Sequence, residues 1–263
     1  MRKRQLKLNL QHFAKKRNKF WSMKMSANQE DSADVFIYGD IERYQWLEED
    51  TTASSFKQDL DDLGDVSNIN LHINSPGGAV FEGIAIHNML KSHPARVNVY
   101  VDALAASIAS VIAMAGDQIH MYKNSMMMIH NAWTIALGNA NELRKKADDL
   151  DRINQSAVQS YLQKAGEKLN EDELKQMLDD ETWLSADEAQ QYGLADVVLE
   201  ENQAVASVSE DLFKQYKNVP KALQKKVDKQ EEGISEEEMA RRQKIAEQSK
   251  QNSALIKDIL GGI

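Results

Sequence analysis

Cysteine is absent from this 263-residue chain. That absence removes a thiol nucleophile, a thiolate metal site and any disulfide framework, and it suits a reducing cytosol. Proline is nearly as scarce, at three residues, and aromatic residues make up only 6%. No long hydrophobic run exists either. The longest, Ala103 to Ala115, is interrupted by Ser107 and Ser110 and is too short to span a bilayer. The basic N-terminus lacks the apolar stretch of a secretory signal, so no membrane partner is expected. A net charge of −9 argues against a nucleic-acid partner. Neither H-E-x-x-H nor another metal-ligand spacing occurs, and the P-loop, G-x-G-x-x-G and G-x-S-x-G patterns are missing. The expectation is a cytoplasmic protein with no metal and no other cofactor.

What is present falls into three zones. Apolar residues make up 42% of the chain although its mean hydropathy is −0.56, so the polarity must be concentrated somewhere. It lies at the ends. Residues 1–28 carry nine Lys or Arg and no acid, and residues 1–33 read as a basic, flexible N-terminal arm. Residues 201–263 are rich in Lys, Gln and Glu, with one Phe, one Tyr and one Pro. They read as a charged, helical tail, opened at Ser235 by a capping box with Glu238.

Between them, 34–200 alternate two kinds of segment. Val35–Tyr38, Ile69–Ile73, Val97–Val101, Ile119–Tyr122 and Met126–Ile129 are short, β-rich and mostly apolar, as strands buried on both faces of a sheet would be. Helical patterns cover Val80–Lys91, Ala105–Ala115 and Asn141–Ala165, the last stopped by Gly166. Shorter helices are expected at 171–179 and 186–192, each behind a capping box. Strand–helix alternation predicts an α/β fold of right-handed βαβ units.

Three places carry candidate chemistry. The turn Asn74-Ser75-Pro76-Gly77-Gly78 leads from a strand into a helix, and its glycines expose backbone N–H groups. An oxyanion hole, a phosphate loop and a bare turn all remain open on those residues alone. Ser107 follows the next strand among small residues, where a helix start favours developing negative charge and Ile108 offers an N–H. Tight helix packing would explain the same alanines. A serine needs a base, and of six histidines His130 closes an apolar strand at the end where such sheets present ligand-binding groups. His87 and His93 read as surface residues and His72 and His120 as structural, mid-strand ones.

Taken in order, Ile73–Gly78, Ala105–Ala109, Asn124-Ser125 with Met128–His130, and Leu184–Ala186 through Tyr192–Asp196 resemble the Clp protease proteolytic subunit family of the wider crotonase-like superfamily. The resemblance runs from about Val35 to Val198. It implies a ClpP/crotonase-like fold of repeated ββα units with a protruding long helix, Asn141–Ala165. It also implies a Ser-His-acid serine endopeptidase, with Ser107 as nucleophile, His130 as base and the N–H groups of Gly78 and Ile108 as oxyanion hole. The third triad position falls at Glu181, two residues before Trp183, where the family usually has Asp. Asp180 is the alternative acid and Asp179 a weaker one. Ala103 stands where Gly is common and Ala132 where Pro is usual.

The basic arm, the charged tail and a leader-like Leu8–Ala14 resemble the Clp-related prohead proteases of tailed phages more than housekeeping subunits. That implies head maturation by ATP-independent cleavage of capsid or scaffold precursors, in host cytoplasm or procapsid. The likeness also implies self-assembly into rings, heptameric and stacked. The competing readings are a host-type Clp subunit working with an AAA+ unfoldase, a catalytically inert capsid-assembly ring, and a crotonase-like acyl-CoA enzyme.

Overall fold

The computed structural model describes residues 19–27, 29, 31–42, 52–201 and 216–220. Eight strands form one sheet among these residues: β1 (Trp21–Met25), β2 (Ser32–Tyr38), β3 (Asn68–Ser75), β4 (Arg96–Ala106), β5 (Gln118–Tyr122), β6 (Met126–Ile129), β7 (Thr182–Ser185) and β8 (Val197–Leu199). The main path runs β1-β2-β3-β4-β5-β8, parallel except for the antiparallel β1–β2 hairpin. The α/β fold is the one the alternating pattern anticipates.

β4 does double duty. Its first half pairs with β5, Asn98 facing Gln118, while Leu104–Ala106 pair with β6, which in turn pairs antiparallel with β7. The register against β3 shifts between Ile73 and Ser75. The sheet thus forks along β4, and the ends of β3, β4 and β6 come together.

Among the described residues six α-helices accompany the sheet: α1 (Ala53–Asp61), α2 (Val80–Lys91), α3 (Ile108–Ala113), α4 (Ala140–Ala165), α5 (Glu171–Asp179) and α6 (Ala186–Gln191). Ile37, Ile73, Val101 and Met121 share a core with Phe56, Ile86, Leu90, Ile112 and Tyr161. Each such fully buried side chain stabilises the fold by about 1.5–3 kcal/mol relative to exposure. α4 starts at an Asn139/Glu142 capping box and stops at Gly166, whose φ of +62° suits glycine. Its first nine residues are exposed and only its C-terminal half docks, through Val158, Tyr161 and Ala165, so the long helix protrudes.

Four expectations need correction. The strands are not buried on both faces. Phe36, His72, Tyr100 and His120 lie side by side on a half-buried face, their rings stacked with centroids 4.7–5.0 Å apart. The second helix pattern begins too early, because Ala105 and Ala106 are still strand, held by β6. β1 lies inside the stretch read as a flexible arm. Trp21 is buried against Phe56 and caps one edge of the core, which outweighs the polarity around it. His87, read as a surface residue, is buried, and burial pushes its pKa down. The Leu8–Ala14 leader and the Ser235 capping box lie outside the described residues.

Candidate active site

Ser107 occupies the single residue between β4 and α3. Its backbone has φ +54° and ψ −129°, a region that side chains rarely adopt and that costs on the order of 1–3 kcal/mol. Three contacts impose it. The Ser107 N–H donates to the Met128 carbonyl of β6 at 2.9 Å, and the Ser107 carbonyl accepts from the Ser110 hydroxyl at 2.5 Å. Gly77 presses from the other side, where an added Cβ would stand 2.7 Å from the Ser107 Cβ.

The outcome is a half-buried serine whose hydroxyl is aimed at a histidine. Ser107 Oγ and His130 Nε2 are 2.7 Å apart. His130 follows β6 directly and is half-buried, and that burial lowers its pKa below the usual 6.5. The nearby Glu181 carboxylate offsets part of the drop. A neutral imidazole at pH 7 is the form that accepts a proton from a hydroxyl.

The three acids are placed very differently. Asp179 and Asp180 are exposed at the end of α5, where Asp179 accepts from Asn131 Nδ2 at 2.6 Å and Asp180 from Gln176 Nε2 at 2.9 Å. Glu181 is buried beside His130, in the turn into β7, with φ +51°. The chain therefore holds two non-glycine residues in the left-handed region at this one site. Glu181 takes a hydrogen bond at Oε1 from the Asn218 backbone N–H at 2.8 Å.

Gly78 has φ +145°, and a Cβ there would collide with the Ile41 carbonyl oxygen at 2.1 Å. A bridge to Ile41 is made by the Gly77 carbonyl and the Ala79 N–H, so the intervening Gly78 N–H lies outside it. Ile108 is the first residue of α3, and its N–H belongs to the orphan donors of a helix start. Gly83 of α2 lets Ile108 pack close, for a Cβ there would meet Ile108 Cγ1 at 2.1 Å. Both amide positions thus depend on glycine contacts beside Ser107.

Ser110, the other serine of this segment, is fully buried, its hydroxyl 2.7 Å from that of Tyr161. Sequence reasoning misses Tyr216 and Asn218. Tyr216 is one of two aromatic residues in a polar tail, which is the one signal that could have marked it. Its ring meets His130 edge-on at 5.4 Å and Trp183 at 6.1 Å.

The Clp protease family model matches residues 27–202. The ATP-dependent Clp protease proteolytic subunit 1 of Salinibacter ruber (strain DSM 13855 / M31) is 31% identical over 144 residues, 54% of this chain and 61% of that protein. The ATP-dependent Clp protease proteolytic subunit of Pleurastrum terricola is 33% identical over 133 residues, 50% of this chain and 67% of that protein. The match to the first of these relatives thus leaves more than a third of its length uncovered.

Proposed function

The chain belongs to the Clp protease family, and on that footing we propose that it is a serine endopeptidase built on Ser107, His130 and Glu181. The 2.7 Å contact between Ser107 Oγ and a half-buried, neutral His130 carries the reading. Ser107 Oγ attacks the scissile carbonyl as its proton passes to His130 Nε2. The tetrahedral oxyanion is held by the N–H groups of Gly78 and Ile108. His130 then returns the proton to the departing amine, leaving an acyl-enzyme that water hydrolyses by the same base. Glu181 fixes the imidazole and stabilises its charged form. Asp180, exposed and engaged by Gln176, is the weaker choice of acid.

The substrates we assign are capsid or scaffold precursors of a tailed phage, cut without ATP. The basic arm and charged tail that flank the family-matched residues support this. The second reading, a subunit that works with an unfoldase, draws on the two relatives, both named as ATP-dependent. Co-expressing the chain with a capsid precursor separates them: cleavage without an ATPase supports the first, and an intact precursor supports the second.

Ring assembly is part of the proposal. Trp133, Ile135 and Leu137 alternate along the extended segment before α4 and are 50%, 86% and 97% exposed, an apolar row suited to another copy of the chain. Ile135→Asp with Leu137→Asp should shift the mass measured by light scattering downward; an unchanged mass would remove this row from the interface. For the chemistry, a fluorophosphonate probe should label wild type and Ser110→Ala but not Ser107→Ala. Equal labelling of all three would end the peptidase reading.

A further inference from the structure

The compact unit that holds the sheet extends to Asn218, and its last residues lie on the candidate site. Tyr216 donates its hydroxyl to the carbonyl of Pro76, the residue before the paired glycines. Its ring meets the His130 imidazole, the partner of Ser107, edge-on at 5.4 Å. The ring packs on an apolar floor of Leu104, Ala106, Met126, Met128 and Trp183. Two residues on, the Asn218 N–H donates to Glu181 Oε1 and its Nδ2 to the Asp180 carbonyl, both at 2.8 Å.

These contacts reach three parts of the machinery at once: the base, the glycine turn and the acid. Tyr216 lies against His130 and the turn, where a scissile carbonyl would have to enter. Asn218 engages the carboxylate that the base would need. Neither residue is part of the family-matched stretch, which ends at 202.

We propose that Tyr216–Asn218 is an autoinhibitory strap, an intramolecular occupant of the substrate groove that must leave before the peptidase acts. The proposal rests on the serine-peptidase reading of Ser107. The strap acts in two ways, by filling the approach to Ser107 and by drawing Glu181 toward an amide instead of the imidazole. Its own chemistry suits reversible release. Lys217 between the two anchors is exposed, and the anchors are one aromatic ring and three neutral-donor hydrogen bonds with no ion pair among them. Such a segment exchanges with a peptide that offers an aromatic side chain and a backbone N–H of its own.

The test uses the full-length chain. Tyr216→Ala removes the ring, Asn218→Pro removes the N–H that reaches Glu181, and Lys217→Ala serves as a control. A strap docked nine-tenths of the time leaves one-tenth of the molecules competent, so release should raise the rate of fluorophosphonate labelling about tenfold. Tyr216→Ala and Asn218→Pro should each label faster than wild type, with Lys217→Ala unchanged. Hydrogen exchange reads docking directly: the Asn218 amide should be protected in Ser107→Ala and lose protection when Tyr216→Ala is added. Equal labelling rates in wild type and both release variants would overturn the strap while leaving the peptidase reading intact. An unprotected Asn218 amide would overturn it as well. Folded protein that takes no label in wild type or either variant would overturn both readings together.

Discussion

Two regions of this molecule hold a histidine beside a carboxylate, and the better-bonded pair is not the one at the site. On the open face of the sheet, Asp102 is buried, accepts from the Tyr38 hydroxyl at 2.5 Å, and lies 3.0 Å from His72 Nδ1. His72 is stacked between Phe36 and Tyr100. Among the described residues no serine is hydrogen-bonded to this pair. At the strand ends, His130 has a looser relation to Glu181, which an amide of the tail engages, yet it touches Ser107, whose backbone is contorted. A carboxylate–histidine bond is therefore a poor marker of chemistry here. The better marker is backbone geometry that only a demanding site would impose.

The comparison breaks or sharpens by substitution. The largest effect should come from His130→Ala, which removes the base and lowers peptide-hydrolysis kcat by about 10⁴–10⁶, as for a triad member elsewhere. His72→Ala should leave kcat within about twofold and cost about 1 kcal/mol of stability, read by thermal or urea melting. If the two variants lose activity equally, the open-face pair belongs to the mechanism after all. Next in size, Glu181→Gln should slow acylation by about 10²–10⁴ in stopped-flow burst kinetics, whereas Asp180→Asn should cost less than about threefold. The reverse order would move the acid to Asp180.

The smallest effect is in pH. Burial lowers the His130 pKa below 6.5, so the acid limb of kcat/KM should have its midpoint below the ordinary imidazole value. Activity then survives mild acid and is lost as pH falls through that lowered pKa. Any stability gained from keeping the ring neutral is present above 6.5 and is lost as pH falls from 6.5 through the folded value. Glu181 acts in the opposite sense, holding a proton on the ring, so Glu181→Gln should move the midpoint further down. A midpoint that rises in this variant would show that the carboxylate is not the imidazole's neighbour in solution.

Much of the fold is legible in the residue pattern. Strand–helix alternation identifies the sheet because buried β-rich runs are short and helical patterns separate them. Ser107 and His130 sit at element ends, where a sequence pattern points, and they meet across the fork of β4. What the pattern hides depends on contacts distant in sequence. β1 reads as part of a basic arm because its packing partner, Phe56, comes from a helix far along the chain. The half-buried ring stack looks like hydrophobic strand because aromatic residues satisfy both descriptions. Glu181 and Asp180 are neighbours with the same charge, and only the turn after α5 separates the buried from the exposed. Tyr216 has no periodic pattern around it and is defined wholly by the site it lies on.

The left-handed backbone at Ser107 also bears on how this chain would fare under selection for heat resistance. Glycine adopts that conformation without a steric cost, so Ser107→Gly should melt above Ser107→Ala by about 1 kcal/mol of stability. A library ranked only by survival on heating would then favour a substitution that relieves the backbone and removes the proposed nucleophile. Thermal tolerance and the proposed hydrolysis pull this position toward different residues, and a screen that measures only the first would discard the proposed nucleophile.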